Sequence, residues 1–168
     1  MRKPVPQLSE AALTRFVRKA ARVAKLRGAV NVLVTTNREL QTLNRRFRGK
    51  NRATDVLSFP SLATLPEDFA GDIAISAEMA AANAKKLGHS ADEEVRILAL
   101  HGILHLAGYD HERDNGKMAR TEERLRRALG LPAALIERAS AEKASLGKSK
   151  TSPPESRRPT RGARRNWR

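Results

Sequence analysis

The chain predicts an α/β (α+β) fold: a single domain with a small mixed sheet of about three or four strands, covered by about five or six helices. Three observations carry this. Segments with apolar residues every three or four positions, opened by Ser or Thr and closed by Gly, alternate with short β-branched runs. Apolar residues make up 40% of the 168 positions, enough for the core of one domain. After about residue 146 the composition turns rich in Pro, Ser and Arg without apolar periodicity, so a disordered basic tail is expected. The expected division is a folded domain over 1–146 and the tail over 147–168.

Each element has a local reason. Ser9 caps a helix running to about Leu26, with Leu13, Phe16, Val17, Ala20 and Val23 on one face and Gly28 as its stop. Residues 30–35 are β-branched and apolar, which predicts a buried strand. Thr36 to Glu39 reads as a capping box opening a short helix through Leu40, Leu43 and Phe47. A second strand spans 55–59 and is stopped by Pro60. A loop with Pro66 leads to a third strand over 71–75. Ser76 begins an alanine-rich helix that ends near Leu87 and Gly88. Ser90 and Glu93 form another capping box, which launches a helix carrying Val95, Leu98, His101 and His105. Two further helices, over 116–129 and 132–146, read as largely surface-charged.

Global features narrow the function classes. No stretch approaches the run of about 20 apolar residues that a membrane span needs, and an amphipathic helix rather than a signal peptide follows the first residues. Cysteine is absent, which excludes disulfides and thiolate zinc sites and suits a reducing compartment, so a cytoplasmic location is expected. The balance of 33 Lys+Arg against 18 Asp+Glu gives +15. Residues 143–168 hold nine basic residues and one acidic residue, Glu155, a balance of +8, and 1–142 keep +7. Such charge suits a polyanion, because Lys and Arg release condensed counterions from phosphates, although a solvated basic surface has the same composition. Trp167 among the tail arginines either stacks on a base or is a stray terminal aromatic.

Three of the four histidines stand in one run: His101, His105 and His111 in His-Gly-Ile-Leu-His-Leu-Ala-Gly-Tyr-Asp-His. Residues four apart share a helix face, so the imidazoles of His101 and His105 can converge on one point. Gly108 can take the left-handed conformation that ends a helix and lets the chain return, bringing His111 round as a third nitrogen. A lone pair at this spacing is usually accidental; the glycine and the third histidine point to one Zn²⁺ with a fourth position open for water. The fourth histidine, His89, reads as a loop residue. The same spacing occurs in zinc proteases, but Gly102 stands where those enzymes place their glutamate base. Ligand geometry without that base points away from peptide hydrolysis and towards phosphodiester cleavage, where a metal of full charge acts on a phosphoryl oxygen. Arg45, Arg46, Arg48, Lys50 and Arg52 supply five cations in nine residues; they are either phosphate contacts or a solvated helix end that complements its dipole.

Four blocks carry a family resemblance: Leu43-Asn44-x-x-Phe47-Arg48-Gly49-Lys50, Thr54-Asp55-Val56-Leu57-Ser58-Phe59-Pro60, Gly71-Asp72-Ile73-x-Ile75-Ser76, and the histidine block from His101 to His111. In this order and at these separations the chain resembles the bacterial YbeY proteins, over about residues 5–135. Met118 and Glu122 also fit that pattern. The resemblance implies a zinc-dependent endoribonuclease specific for single strands, acting in ribosomal RNA maturation (the small-subunit 3′ end) and ribosome quality control. Its implied partners are ribosomal RNA, the ribosome or its small subunit, and ribosomal or assembly proteins.

By the same resemblance His101, His105 and His111 hold the zinc and Arg48 is the catalytic arginine, here cast as the group that stabilises the scissile phosphate. Arg45, Arg46, Lys50 and Arg52 are candidate RNA contacts. Asp72 either orients a ligand and shapes the cleft or is structural. Asp110 is either an acceptor for a histidine N–H or a turn residue. Thr54 and Asp55 either fix the strand start near the metal or make an Asx-type turn. No general base is evident, and bound hydroxide would suffice. The rival readings are a non-catalytic, zinc-stabilised ribosome-assembly or RNA-binding factor and, more distantly, a metalloprotease. The basic extension lies outside the family core.

Overall fold

The computed structural model describes residues 1–61, 68–110 and 114–132, all within one compact unit, Met1–Leu135. The expected helix over 132–146, the loop with Pro66, the tail over 147–168 and the boundary between domain and tail lie outside the described residues. Five helices and three strands follow one another as α1 Glu10–Val23, β1 Ala29–Thr35, α2 Asn37–Arg48, β2 Val56–Pro60, β3 Phe69–Ser76, α3 Ala77–Leu87, α4 Ala91–Leu106 and α5 Lys117–Leu129. The strand order is β1-β3-β2, with β1 parallel and β2 antiparallel to β3. This is the mixed sheet and α+β class that the chain predicts. No helix among the described residues is long and apolar enough to cross a membrane.

The local signals mostly act as expected. Ser9, Thr36, Ser76 and Ser90 cap α1, α2, α3 and α4 by accepting the backbone N–H three residues on. Four details differ. Helix α1 ends at Val23 rather than Leu26, because Lys25 takes the left-handed conformation (φ 58°). Gly28 instead serves the start of β1, where a side chain would collide with the backbone of Asp68 and Ala70. At Thr36 only half of a capping box forms, since the Glu39 carboxylate is drawn off by Thr35 Oγ1 and Arg2. Pro60 closes β2 from within, pairing with Gly71, a position an edge strand tolerates because proline lacks only an outward N–H.

The pleat sorts the layers. Leu57 and Ala74 pair across β2 and β3 and pack with Leu40 and Leu43 of α2, so that face of the sheet belongs to α2. Ser58 and Ile73 point the other way: Ser58 Oγ donates to the Gly102 carbonyl at 3.4 Å, and Ile73 lies against Gly102. Helices α2 and α4 therefore cover opposite faces. Helix α4 is buried almost all round, with Val95, Ile97, Leu98, Ala99, Leu100, Ile103 and Leu104 fully enclosed. It packs on β2 and β3 and against α1, α3 and α5. Helix α5 is not simply a charged surface helix, as its sequence suggests, because Met118, Glu122, Leu125 and Arg126 are buried.

Candidate metal centre

The centre is built on the last two turns of α4. A full capping box, Ser90 with Glu93, and acidic residues at Asp92, Glu93 and Glu94 hold the start of this helix against its dipole. Four residues apart on one stripe, His101 and His105 bring their rings to a centroid separation of 4.8 Å at 75°. Their Nε2 atoms face each other at 3.1 Å. Two nitrogens ligating one tetrahedral zinc at ~2.0–2.1 Å stand about 3.3 Å apart, so the pair fits two corners of such a site. Gly108 adopts φ +86°, and Tyr109 N–H returns to the Leu104 carbonyl at 3.0 Å, ending the helix just past His105.

A carboxylate holds the first imidazole. Glu122 Oε2 accepts from His101 Nδ1 at 2.9 Å, which places the proton on Nδ1 and leaves the Nε2 lone pair for a cation. The other oxygen, Oε1, accepts from Arg126 Nη2, and Arg126 also donates to the Pro132 carbonyl at 3.3 Å. Both members of this ion pair are buried, Glu122 at 2% and Arg126 at 1% exposure. Burial pushes the Glu122 carboxyl up. The hydrogen bond from His101, with the charge and hydrogen bond of Arg126, outweighs it and holds the group below the ordinary carboxylate range. The donor set thus suits a divalent metal: neutral imidazole nitrogens, one of them locked by a buried carboxylate. Among the described residues no third His, Cys, Asp or Glu completes a ligand cluster. His111 lies outside them, between Asp110 and Asp114, whose backbones are joined by a 3.1 Å hydrogen bond.

Similarity to known proteins bears on this geometry directly. A family profile described as Endoribonuclease YbeY matches residues 3–130, which include α4, α5 and the histidine pair. The chain belongs to the YbeY family. A YbeY relative from Koribacter versatilis, named Endoribonuclease YbeY, is 54% identical over 82% of this chain and 89% of its own. The like-named protein of Solibacter usitatus is 47% identical over 78% of this chain and 86% of its own. That of Helicobacter pylori is 41% identical, covering 73% and 87% respectively.

The structure brings some of the expected site residues together and separates others. His101 and His105 meet. Arg48 ends α2, in the layer across the sheet from them, and is exposed. Arg45 lines a shallow open cleft with Arg38, Gln41, Thr42 and Asn51. Arg46 stacks over the Phe47 ring, while Lys50 and Arg52 stand exposed in the following loop. Asp72 pairs with Phe59 and so faces the α2 side, away from Gly102 and α4; it accepts from Asn31 Nδ2 at 3.1 Å. Among the described residues its partner is this cross-strand asparagine, not a histidine. The Asp110 backbone carbonyl accepts the Asp114 N–H at 3.1 Å. Asp55 Oδ1 accepts the Val56 N–H at 3.0 Å at the mouth of β2, one residue on rather than the two residues on of an Asx turn. His89 is a loop residue whose ring is buried against Glu94 at 2.7 Å. The residue that sequence reasoning left without a role is Glu122. Its signal was a carboxylate in line with Met118 and Leu125 on the apolar stripe of α5.

Proposed function

We propose that this chain is a zinc-dependent endoribonuclease that cuts single-stranded RNA, acting in the cytoplasm on ribosomal RNA during maturation of the small-subunit 3′ end and in ribosome quality control. One observation carries the reading: two imidazole nitrogens converge at 3.1 Å, one of them fixed by a buried glutamate, in a chain of net charge +15. Membership in a family whose relatives are named endoribonucleases supports it.

His101 and His105 would hold the metal through Nε2, with His111 as the third ligand. Bound zinc supplies Lewis acidity towards a phosphoryl oxygen. Glu122 keeps His101 in the ligating tautomer and prevents the ring from turning away. The family resemblance assigns Arg48 to the phosphate, a task that a guanidinium suits by its fixed fork of donors. Helix α2 lies across the sheet from His101 and His105, so the RNA strand would have to pass the sheet edge between them. Gly102 cannot be replaced by a protease-type base, because its position points into Ile73 rather than towards the histidine stripe.

The test is metal content together with cleavage of single-stranded and duplex RNA by the purified protein. The expected result is one zinc per chain and preferential cutting of the single strand. His105→Ala should lose both metal and cleavage, and Arg48→Ala should lose cleavage while keeping metal and fold. Cleavage at the wild-type rate by Arg48→Ala would remove its catalytic role, and full cleavage by metal-free protein would overturn the reading.

A further inference from the structure

Phe47 is the most exposed large apolar residue among those described, 58% open, and it stands in the most basic stretch of the fold. Its ring lies edge to face with Phe59, 5.1 Å between centroids, and the Arg46 guanidinium sits 5.3 Å from its centre. The ring is therefore braced from two sides and open on the rest. Between Thr36 and Arg52 the only acidic residue is Glu39, which is engaged by Arg2 and Thr35. Arg45, Arg48, Lys50 and Arg52 are exposed and carry no carboxylate partner among the described residues. Their backbone is held in place. Asn44, buried at 2%, donates to the Arg52 carbonyl at 2.8 Å, and Lys50 N–H returns to the Asn44 carbonyl at 3.3 Å across the left-handed Gly49.

An exposed aromatic ring at a helix end, followed by the exposed cations Lys50 and Arg52 on a fixed loop, has the makings of a stacking platform for single-stranded nucleic acid, where bases pile on the ring and phosphates meet the cations. An apolar protein partner would not need the cations, and a duplex would keep its bases stacked inside. We propose that Phe47 receives an unpaired base of the RNA strand, with Lys50 and Arg52 on the flanking phosphates. This rests on the reading of the chain as an RNA-cleaving protein. It adds that strand selectivity originates on α2, in the layer opposite the histidines, so that the strand crosses the β2 edge to reach them.

The experiment compares Phe47→Leu with Phe47→Trp. Leucine keeps an apolar side chain against Phe59 but has no ring; tryptophan keeps the ring. Binding of a short fluorescent single-stranded RNA is followed by anisotropy over a salt series, each variant in a His105→Ala background that blocks cleavage. Phe47→Leu should weaken binding about tenfold with the slope of log affinity on log salt unchanged, and Phe47→Trp should bind at least as well as the parent. Lys50→Gln should instead make that slope shallower. Equal affinity of the leucine and parent proteins overturns the platform, as does equal loss in both Phe47 variants or an equal leucine effect on duplex RNA. Competition by polyglutamate with the same sensitivity to Phe47→Leu would assign the surface to acidic protein instead. Cleavage by the native protein separates the two levels. Cutting with no Phe47 effect sinks the platform alone, and absence of both cutting and binding sinks the RNA reading with it.

Discussion

His101 Nδ1 and Glu122 Oε2 meet at 2.9 Å across the α4–α5 contact, so the imidazole that faces His105 is oriented by a carboxylate twenty-one residues further along the chain. This bond links the packing of two helices to the electronic state of a metal-binding nitrogen. Glu122→Gln should therefore lower zinc affinity by about 10–100-fold, read by competition with a chromophoric chelator. Unchanged affinity would mean that the ring is held by packing alone.

Arg126 is the other half of that arrangement. Arg126→Met leaves the buried Glu122 charge with the His101 hydrogen bond alone from this pairing, and removal of one member of a buried pair costs about 3–5 kcal/mol. Combining it with Glu122→Gln removes both charges, so the double variant should be more stable than the sum of the single losses allows. Denaturant unfolding of the four proteins measures the coupling directly.

Gly102 is required by contact rather than by backbone freedom. A Cβ there would lie 2.8 Å from Ile73 Cδ1 and 2.9 Å from Ile73 Cγ2, and Ile73 is itself buried. Gly102→Ala gains up to about 1 kcal/mol of helix propensity but overpacks the sheet contact by ~1–3 kcal/mol. The expected outcome is a net destabilisation and a lower Tm, with a rise in Tm as the contrary result.

The Ser90–Glu93 capping box predicts an acid-side weakness. Hydrogen bonds from the Ser90 backbone and hydroxyl hold the Glu93 carboxyl below its ordinary value. A depressed folded value means that the stabilisation is complete above the unfolded carboxylate range and is lost as pH falls through the folded value. Glu93→Gln should be less stable than the parent at pH 7, and the gap should close towards low pH. Thermal melts across that range check the sign; a gap that widens on acidification would contradict it.

Zinc should stabilise the fold through the histidine pair. At about 100 times its dissociation constant a ligand that binds only the folded state adds ~2.7 kcal/mol. Thermal scans with and without zinc should show a rise in Tm that a chelator reverses and that His105→Ala abolishes. Equal shifts in the parent and in His105→Ala would move the metal elsewhere.

Most elements were legible because their causes are local. Ser76 and Gly88 bracket α3 within a single stretch of chain, and the β-branched run at 30–35 marks β1 by composition. The convergence of His101 and His105 was equally local, since helical periodicity alone puts residues four apart on one stripe. The end of α1 and the half-formed box at Thr36 were less legible. Lys25 turns left-handed with no composition signal, and Glu39 is claimed by Arg2, a residue remote in sequence.

Helix limits, the imidazole pair and the cationic stretch around Phe47 follow from neighbours in the chain, because capping, periodicity and charge density act over a few residues. Only the tertiary structure decided that α2 and α4 lie on opposite faces, that Asp72 points away from His101 and His105, that Ile73 leaves position 102 no room, and that Glu122 with Arg126 stands behind His101. Those outcomes depend on which surfaces are buried together, and a hydrogen bond between distant residues exists only once that packing is set.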